Sequence, residues 1–293
     1  MAGKSGFIER NLKYIFTLPA IIFVFLLMIF PIIYTLFISF TDWALTTGRP
    51  MQFVGLESYK KVLSSPRFQM ATMRTFIFTF GAVSTQAVLG TIIALILHRE
   101  FRGKGPIKFL LLLPLVVTPV AIGVTFSLFY NPTIGFLNYV LSLLGLPQSG
   151  WVTEARTVIP SLIMVDVWQW TPMIALIVLA GLSGLSPEPF ESARVDGANA
   201  VQTFFFVTLP MIMPTVITAV VLRLVDALKT YDIIASMTDG GPGFASETLN
   251  VLAFKTSFLF TRMGEASAML VILFFIILLF SVLVMQTRKR FEL

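Results

Sequence analysis

Long apolar windows without charge constrain this chain more than anything else in it. Tyr14 to Thr41, between Lys13 and Asp42, contains no acidic or basic residue. It is longer than a signal-peptide core and lacks a small-residue cleavage site, so it is expected to be retained. Five more windows follow: Thr75–Leu97, Phe109 to about Phe129, Thr157 to about Leu185, about Met211–Tyr231, and Ala266–Thr287. Each approaches the roughly 20 residues that a helix needs to cross a hydrocarbon core about 30 Å thick. In lipid, backbone N–H and C=O groups must pair within the protein, which selects helices for runs of this length. Charged residues make up 12% of the 293 and mean hydropathy is +0.88, against about 25% charge in soluble domains. The expected fold class is therefore an all-α polytopic membrane protein with six transmembrane helices in residues 14–287. Short tails, 1–13 and 288–293, flank it.

Basic residues are clustered. Arg99, Arg102, Lys104 and Lys108 share one short loop, and Arg288, Lys289 and Arg290 follow the last span. The positive-inside tendency assigns both clusters, and with six crossings both termini, to the cytoplasm. A net charge of +6 in this arrangement does not indicate nucleic acid, because no aromatic-interleaved basic face exists. Between spans one and two, Leu56, Tyr59, Val62 and Leu63 beside Lys60 and Lys61 have the spacing of an amphipathic surface helix. Gly135–Leu144 reads as a second short apolar helix.

The chain has no cysteine, which excludes disulfides, thiolate metal sites and thiol nucleophiles. Lys4-Ser5 lacks the upstream glycine loop that cradles phosphate, and the single histidine, His98, sits in a basic loop. No acid, base and nucleophile set is visible, so no enzyme activity and no cofactor are expected of this chain.

Between spans four and five, Ser186-Pro187-Glu188-Pro189-Phe190-Glu191 reads as a helix start, with prolines and acids in the first turn. The helix is expected to end near Asp196, with Gly197 in the left-handed region. Asn199 and Gln202, three residues apart, predict a capping box that restarts a helix into span five. By itself this is either a connector or a projecting knob suited to a groove in another protein.

Here the residues resemble a known pattern. Glu191-Ser192-Ala193, then Gly197 after three residues, then Val207-Thr208-Leu209-Pro210, is similar to the EAA loop of ATP-binding-cassette (ABC) importer permeases, with Ser192 for the usual alanine and Val207 for isoleucine. Phe53-Val54-Gly55-Leu56 with Tyr59, Asp239-Gly240-Gly241-Pro242 with Glu247-Thr248-Leu249, and Gly264 with Ala266, Ala268 and Met269 resemble the maltose-type sugar importer permeases over almost the whole chain. The resemblance implies a type I importer fold and a multi-pass subunit of the bacterial inner membrane. It also implies a second homologous permease, two ATPase subunits that hold ATP and Mg, an external substrate-binding protein and a sugar-like solute. Glu191, Ser192, Ala193, Asp196, Gly197, Leu209 and Pro210 would couple the chain to an ATPase, within a cytoplasmic loop spanning 186–210.

Charges inside lipid are costly and usually face a bundle interior or a water-filled cavity. Asp166 lies about 13.5 Å inside span four and Arg223 about 18 Å inside span five at 1.5 Å per residue, so both approach the midplane, where they could meet. Asp166, Gln169, Trp170 and Met173 share a helical face, as do Arg223, Asp226 and Thr230 with Lys229 at the edge. An aromatic platform beside hydrogen-bonding groups suits a sugar, which makes these seven residues candidates for the solute pathway. Two alternatives stand beside that reading: Arg223–Asp226 and Asp226–Lys229 as mutually neutralising pairs, and Gln169 and Trp170 as ordinary interhelical packing. Pro114, Pro119, Pro160, Pro172 and Pro214 are expected to kink spans three to five. The rival function is a gradient-driven carrier or channel, which would need ion-coupling residues and inverted repeats.

Overall fold

A computed structural model of the chain describes residues 5–46, 48 and 50–288. Lys4, Lys289 and Arg290, and with them parts of both tails, lie outside the described residues. The secondary structure of the described residues is helical, with one isolated antiparallel bridge between Thr41 and Phe53. Helix α1 (Ser5–Val24) continues through a wide turn, Phe25–Ile29, into α2 (Phe30–Ile38). There follow α3 (Glu57–Ser64), α4 (Pro66–His98), α5 (Lys104–Val116), α6 (Pro119–Phe129), α7 (Phe136–Leu143), α8 (Val158–Ser183) and α9 (Glu188–Val195). Then come α10 (Ala200–Thr203), α11 (Leu209–Leu228), α12 (Asp232–Met237), α13 (Leu249–Phe254) and α14 (Met263–Arg288).

Among the described residues, five helices are long and apolar enough to cross a membrane: Tyr14–Ile38, Pro66–His98, Val158–Ser183, Ala200–Leu228 and Met263–Arg288. The expected third span corrects to a bent pair. α5 and α6 meet at 99°, and only if that pair is one span does the number reach six. The reason is local. Pro119 has no N–H to continue the ladder and disfavours helical backbone at the residue before it; Val117 and Thr118 are extended, with ψ of 137° and 142°. Pro114, Pro172 and Pro214 lie inside helices that continue past them. Span five also begins earlier than expected, as one 29-residue run from Ala200, and ends at Leu228.

The chain divides into two compact units. The first comprises residues 1–65 and 253–272. There, α3 is the expected amphipathic helix, but Leu56 falls outside it and Leu63 is exposed, while Val62 and Ser58 are buried. Ser58 Oγ donates to the Thr41 carbonyl at 3.0 Å, and Tyr59 OH lies 2.6 Å from Ser39 Oγ. Gly264 N–H donates to the Trp43 carbonyl at 3.0 Å, tying the start of α14 to the segment after α2.

The second unit comprises residues 66–252 and 273–293. Its core is α4 packed along α8, with α11 against both. Two apolar clusters hold it: one around Phe78, Ile122, Leu162, Val165 and Ile234, the other around Ala94, Leu97, Ile174, Val178 and Ala219. α4 meets α8 closely at Gly90, where an added Cβ would lie 2.8 Å from Ile174 Cγ2 and 3.1 Å from the Ala175 backbone nitrogen. Small residues permit such helix contact in membranes. Gly90→Val is expected to cost about 1–3 kcal/mol by overpacking, read as a lowered melting temperature of the detergent-purified protein. An unchanged melt would mean that α4 and α8 separate freely at this point.

Candidate functional site

On α4, α8 and α11 one polar position falls between the two apolar clusters: Gln86, Asp166 and Arg223. They are 0%, 1% and 1% exposed. Arg223 Nη2 donates to both carboxylate oxygens of Asp166, at 2.6 and 2.5 Å, and Arg223 Nε donates to Gln86 Oε1 at 3.0 Å. Gln86 Nε2 donates to Asp166 Oδ2 at 2.8 Å and to the Asp166 carbonyl at 3.0 Å. The Arg223 guanidinium carbon lies 5.1 Å from the centre of the Trp170 ring, within cation–π reach. The trio closes on itself: the charges neutralise one another across helices, and both ends of the Gln86 amide are used. Such pairs survive burial only when the geometry is good and the remaining polar atoms are bonded. Arg223 thus pairs across to α8 and not with Asp226 on its own helix. Gln86 was missed by sequence reasoning; its signal was the one amide in the charge-free window Thr75–Leu97.

Gln169, 1% exposed, donates from Nε2 to the Val117 carbonyl at 3.4 Å, while its Oε1 has no partner. That carbonyl lies in the break between α5 and α6, and Gln169 is its side-chain donor there. Trp170 and Met173 are half-buried on the same helix. Asp226 pairs with Lys229 at 3.0 Å, with side chains 42% and 56% exposed. Screening by water limits such a pair to roughly 0.2–1 kcal/mol. Thr230 lies beyond the end of α11, not on it, because the helix stops at Leu228; its hydroxyl donates to the Asp226 carbonyl at 3.2 Å.

Beyond α12, the Gly-Gly-Pro loop carries a second ion pair that the sequence alone did not reveal. Arg67 at the start of α4 grips buried Glu247 in two-pronged fashion, Nε to Oε2 and Nη2 to Oε1, both at 2.7 Å. The Phe244 ring lies 4.0 Å from the Arg67 guanidinium carbon.

The knob is α9 and its turn. Pro187 occupies the N-cap, and the Ser186 hydroxyl reaches the Glu188 N–H only at 3.5 Å. The end closes by two reverse bonds: Ala198 N–H to the Ala193 carbonyl at 2.9 Å and Gly197 N–H to the Arg194 carbonyl at 3.2 Å. Gly197 sits at φ +78°, as a helix-terminating glycine must. Asn199 and Gln202 form the expected capping box, each bond 2.9 Å. Glu191, Ser192 and Asp196 are exposed, whereas Ala193 is buried against its own chain. Val195 is 88% exposed at the tip, an apolar residue with no cover. Leu209 and Pro210 do not belong to the knob. They form the first turn of α11, after a wide turn, Phe204–Thr208, in which Leu209 N–H reaches back to the Phe204 carbonyl.

Residues 2–292 match the family described as binding-protein-dependent transport system inner membrane component. A probable ABC transporter permease protein of Sinorhizobium fredii is 37% identical over 254 residues, covering 86% of this chain and 82% of that protein. The trehalose/maltose transport system permease protein MalF of Thermococcus litoralis is 33% identical over 293 residues, covering 99% and 97%. Among solved structures, a bacterial alginate ABC transporter in complex with an alginate pentasaccharide-bound periplasmic protein contains a chain that superposes with a TM-score of 0.84. It is 21% identical, with 97% of each chain covered; this likeness concerns the fold.

Proposed function

Because this chain belongs to the family of binding-protein-dependent transport system inner membrane components, we propose that it is one permease half of an ATP-driven importer. Its solute would be a sugar or sugar-like compound, since relatives include a trehalose/maltose permease. It is a transport subunit and not an enzyme; ATP and Mg would sit on two partner ATPases. A second, homologous permease would complete the pathway, and an external binding protein would deliver solute. We place the 186–210 loop and both termini in the cytoplasm.

The observation that carries this reading is the mechanical continuity of the knob. α9 projects exposed Glu191, Ser192, Val195 and Asp196, and the capping box joins its turn to the helix run Ala200–Leu228. That run holds Arg223, which is bonded to α8 and α4. Displacement of α9 by a closing ATPase dimer would therefore reach the middle of the bundle without passing through a flexible segment. ATP biases the outward-facing arrangement only as far as the ATPases bind it better in that state. In this division of labour, Asp166 and Arg223 hold the helices at mid-membrane and Gln169 supports the bend. The half-buried Trp170 and Met173, with Asp226 and Thr230, face the solute on the pathway side.

The chain has no native cysteine, so Ser192→Cys introduces a single thiol at the knob. A short bifunctional cross-linker in membranes is expected to join it to an ATPase subunit. Absence of that adduct, with the complex otherwise intact, overturns the coupling role. Solute uptake by the reconstituted permeases alone, insensitive to ATP removal, would instead establish the gradient-driven carrier.

A further inference from the structure

Beside the knob lies a cleft of about 1010 Å³. Ile92, Leu95, Leu185, Phe190 and Phe204 give it an apolar lining, and His98, Arg99, Arg194 and Glu191 line it as well. Its level is set by the helices that frame it: α4 ends at His98 and α8 at Ser183, where the chain leaves the apolar zone. The hydroxyls in the cleft already donate inward, Ser183 to the Leu179 carbonyl at 2.9 Å, Thr203 to the Asn199 carbonyl at 3.0 Å and Thr208 to the Thr203 carbonyl at 3.3 Å. Arg99 and Arg194 are exposed, and with His98 they supply the side-chain donors that those bonds do not use. A second cleft shares His98 and Ser183 and adds Lys108 and Lys104, the latter held by Glu100 at 2.8 Å.

We propose that this cleft binds an anionic phospholipid, its phosphate between Arg99 and Arg194 and its acyl chain along Ile92, Leu95 and Phe204. The chemistry selects that ligand. A sugar needs both donors and acceptors along its length, and these walls are apolar. A small inorganic anion uses only the charged residues and leaves the apolar ones wet. A basic pocket among helix ends at the membrane surface, with apolar sides, matches a lipid with a charged head. The lipid would pack between α9 and the ends of α4 and α8, so it would brace the knob from the side. Binding itself does not depend on whether α9 docks to an ATPase.

The test uses the full chain purified with its accompanying subunits in mild detergent. Phe204→Trp places a fluorophore in the wall, and its emission is taken as the difference from the wild-type protein. Brominated phosphatidylglycerol is expected to quench it at far lower mole fraction than brominated phosphatidylcholine. Each cation facing an anionic lipid accounts for about fivefold in binding. Adding Arg99→Gln and Arg194→Gln together should therefore raise the half-quenching concentration about 25-fold, while Arg99→Lys with Arg194→Lys should restore most of it. Equal quenching by the two lipids overturns the proposal, and this comparison needs no charge-removing variant to fold. Unchanged quenching in the glutamine pair, with the protein still folded, overturns it also. Relief of quenching by millimolar inorganic phosphate would assign the site to a small anion and not to lipid.

Discussion

Arg223→Met is expected to destabilise the protein by about 3–5 kcal/mol, because it leaves the Asp166 carboxylate buried without its cation. Asp166→Leu alone should cost a similar amount for the opposite reason. The combination with Gln86→Leu removes every polar member of the trio, and should return stability to within about 1 kcal/mol of the parent, since apolar replacements of a buried pair are often neutral. The two single variants with the Arg223→Met, Asp166→Leu double form a cycle whose interaction energy isolates the contact. It is read from melting temperature or detergent-denaturation midpoint of the purified complex. The geometry requires this strong coupling: the pair is bonded at 2.5 and 2.6 Å with side chains 1–2% exposed. Additive, mild effects in the singles would mean that water reaches the trio. Transport separates the roles further. If Asp166 and Arg223 hold helices, the combined apolar variant keeps assembly, and Trp170→Ala, not the trio, changes the apparent affinity for solute.

Gly197→Val is expected to abolish most solute uptake while ATPase activity of the assembled complex continues. A β-branched residue at φ +78° is strained whatever space surrounds it, at a cost of order 1–3 kcal/mol. The strain is relieved only by opening the turn between α9 and α10, which breaks the two reverse bonds from Gly197 and Ala198 and detaches the knob from the helix run behind it. Gly197→Asn, which tolerates the left-handed region better, should retain much of the uptake. The measurement is solute transported per ATP hydrolysed in proteoliposomes. A ratio unchanged in the valine variant would remove this turn from force transmission, leaving α9 as a connector.

The apolar windows, the knob and its punctuation were legible because they depend on neighbours in the chain. Gly197 and the Asn199–Gln202 box satisfy local hydrogen bonds within three or four residues, and the structure forms them as the spacing predicts. The bend after Val116 was legible in part, since Pro119 biases the residue before it towards extended backbone, yet an apolar run of sufficient length masked it. Thr230 was misplaced because periodicity continues on paper after a helix has ended. What could not be read was pairing between segments far apart. Gln86 lies 80 residues from Asp166 and Arg67 lies 180 from Glu247, and nothing in either local sequence names its partner.

By itself, then, the sequence determined that this chain must be a bundle of apolar helices with a polar knob, since lipid leaves the backbone few other forms and short-range caps close within a turn. Only the tertiary structure decided that Arg223 answers to Asp166 and Gln86 and not to Asp226. A buried charge takes the partner that packing brings within reach, and packing is a property of three helices together.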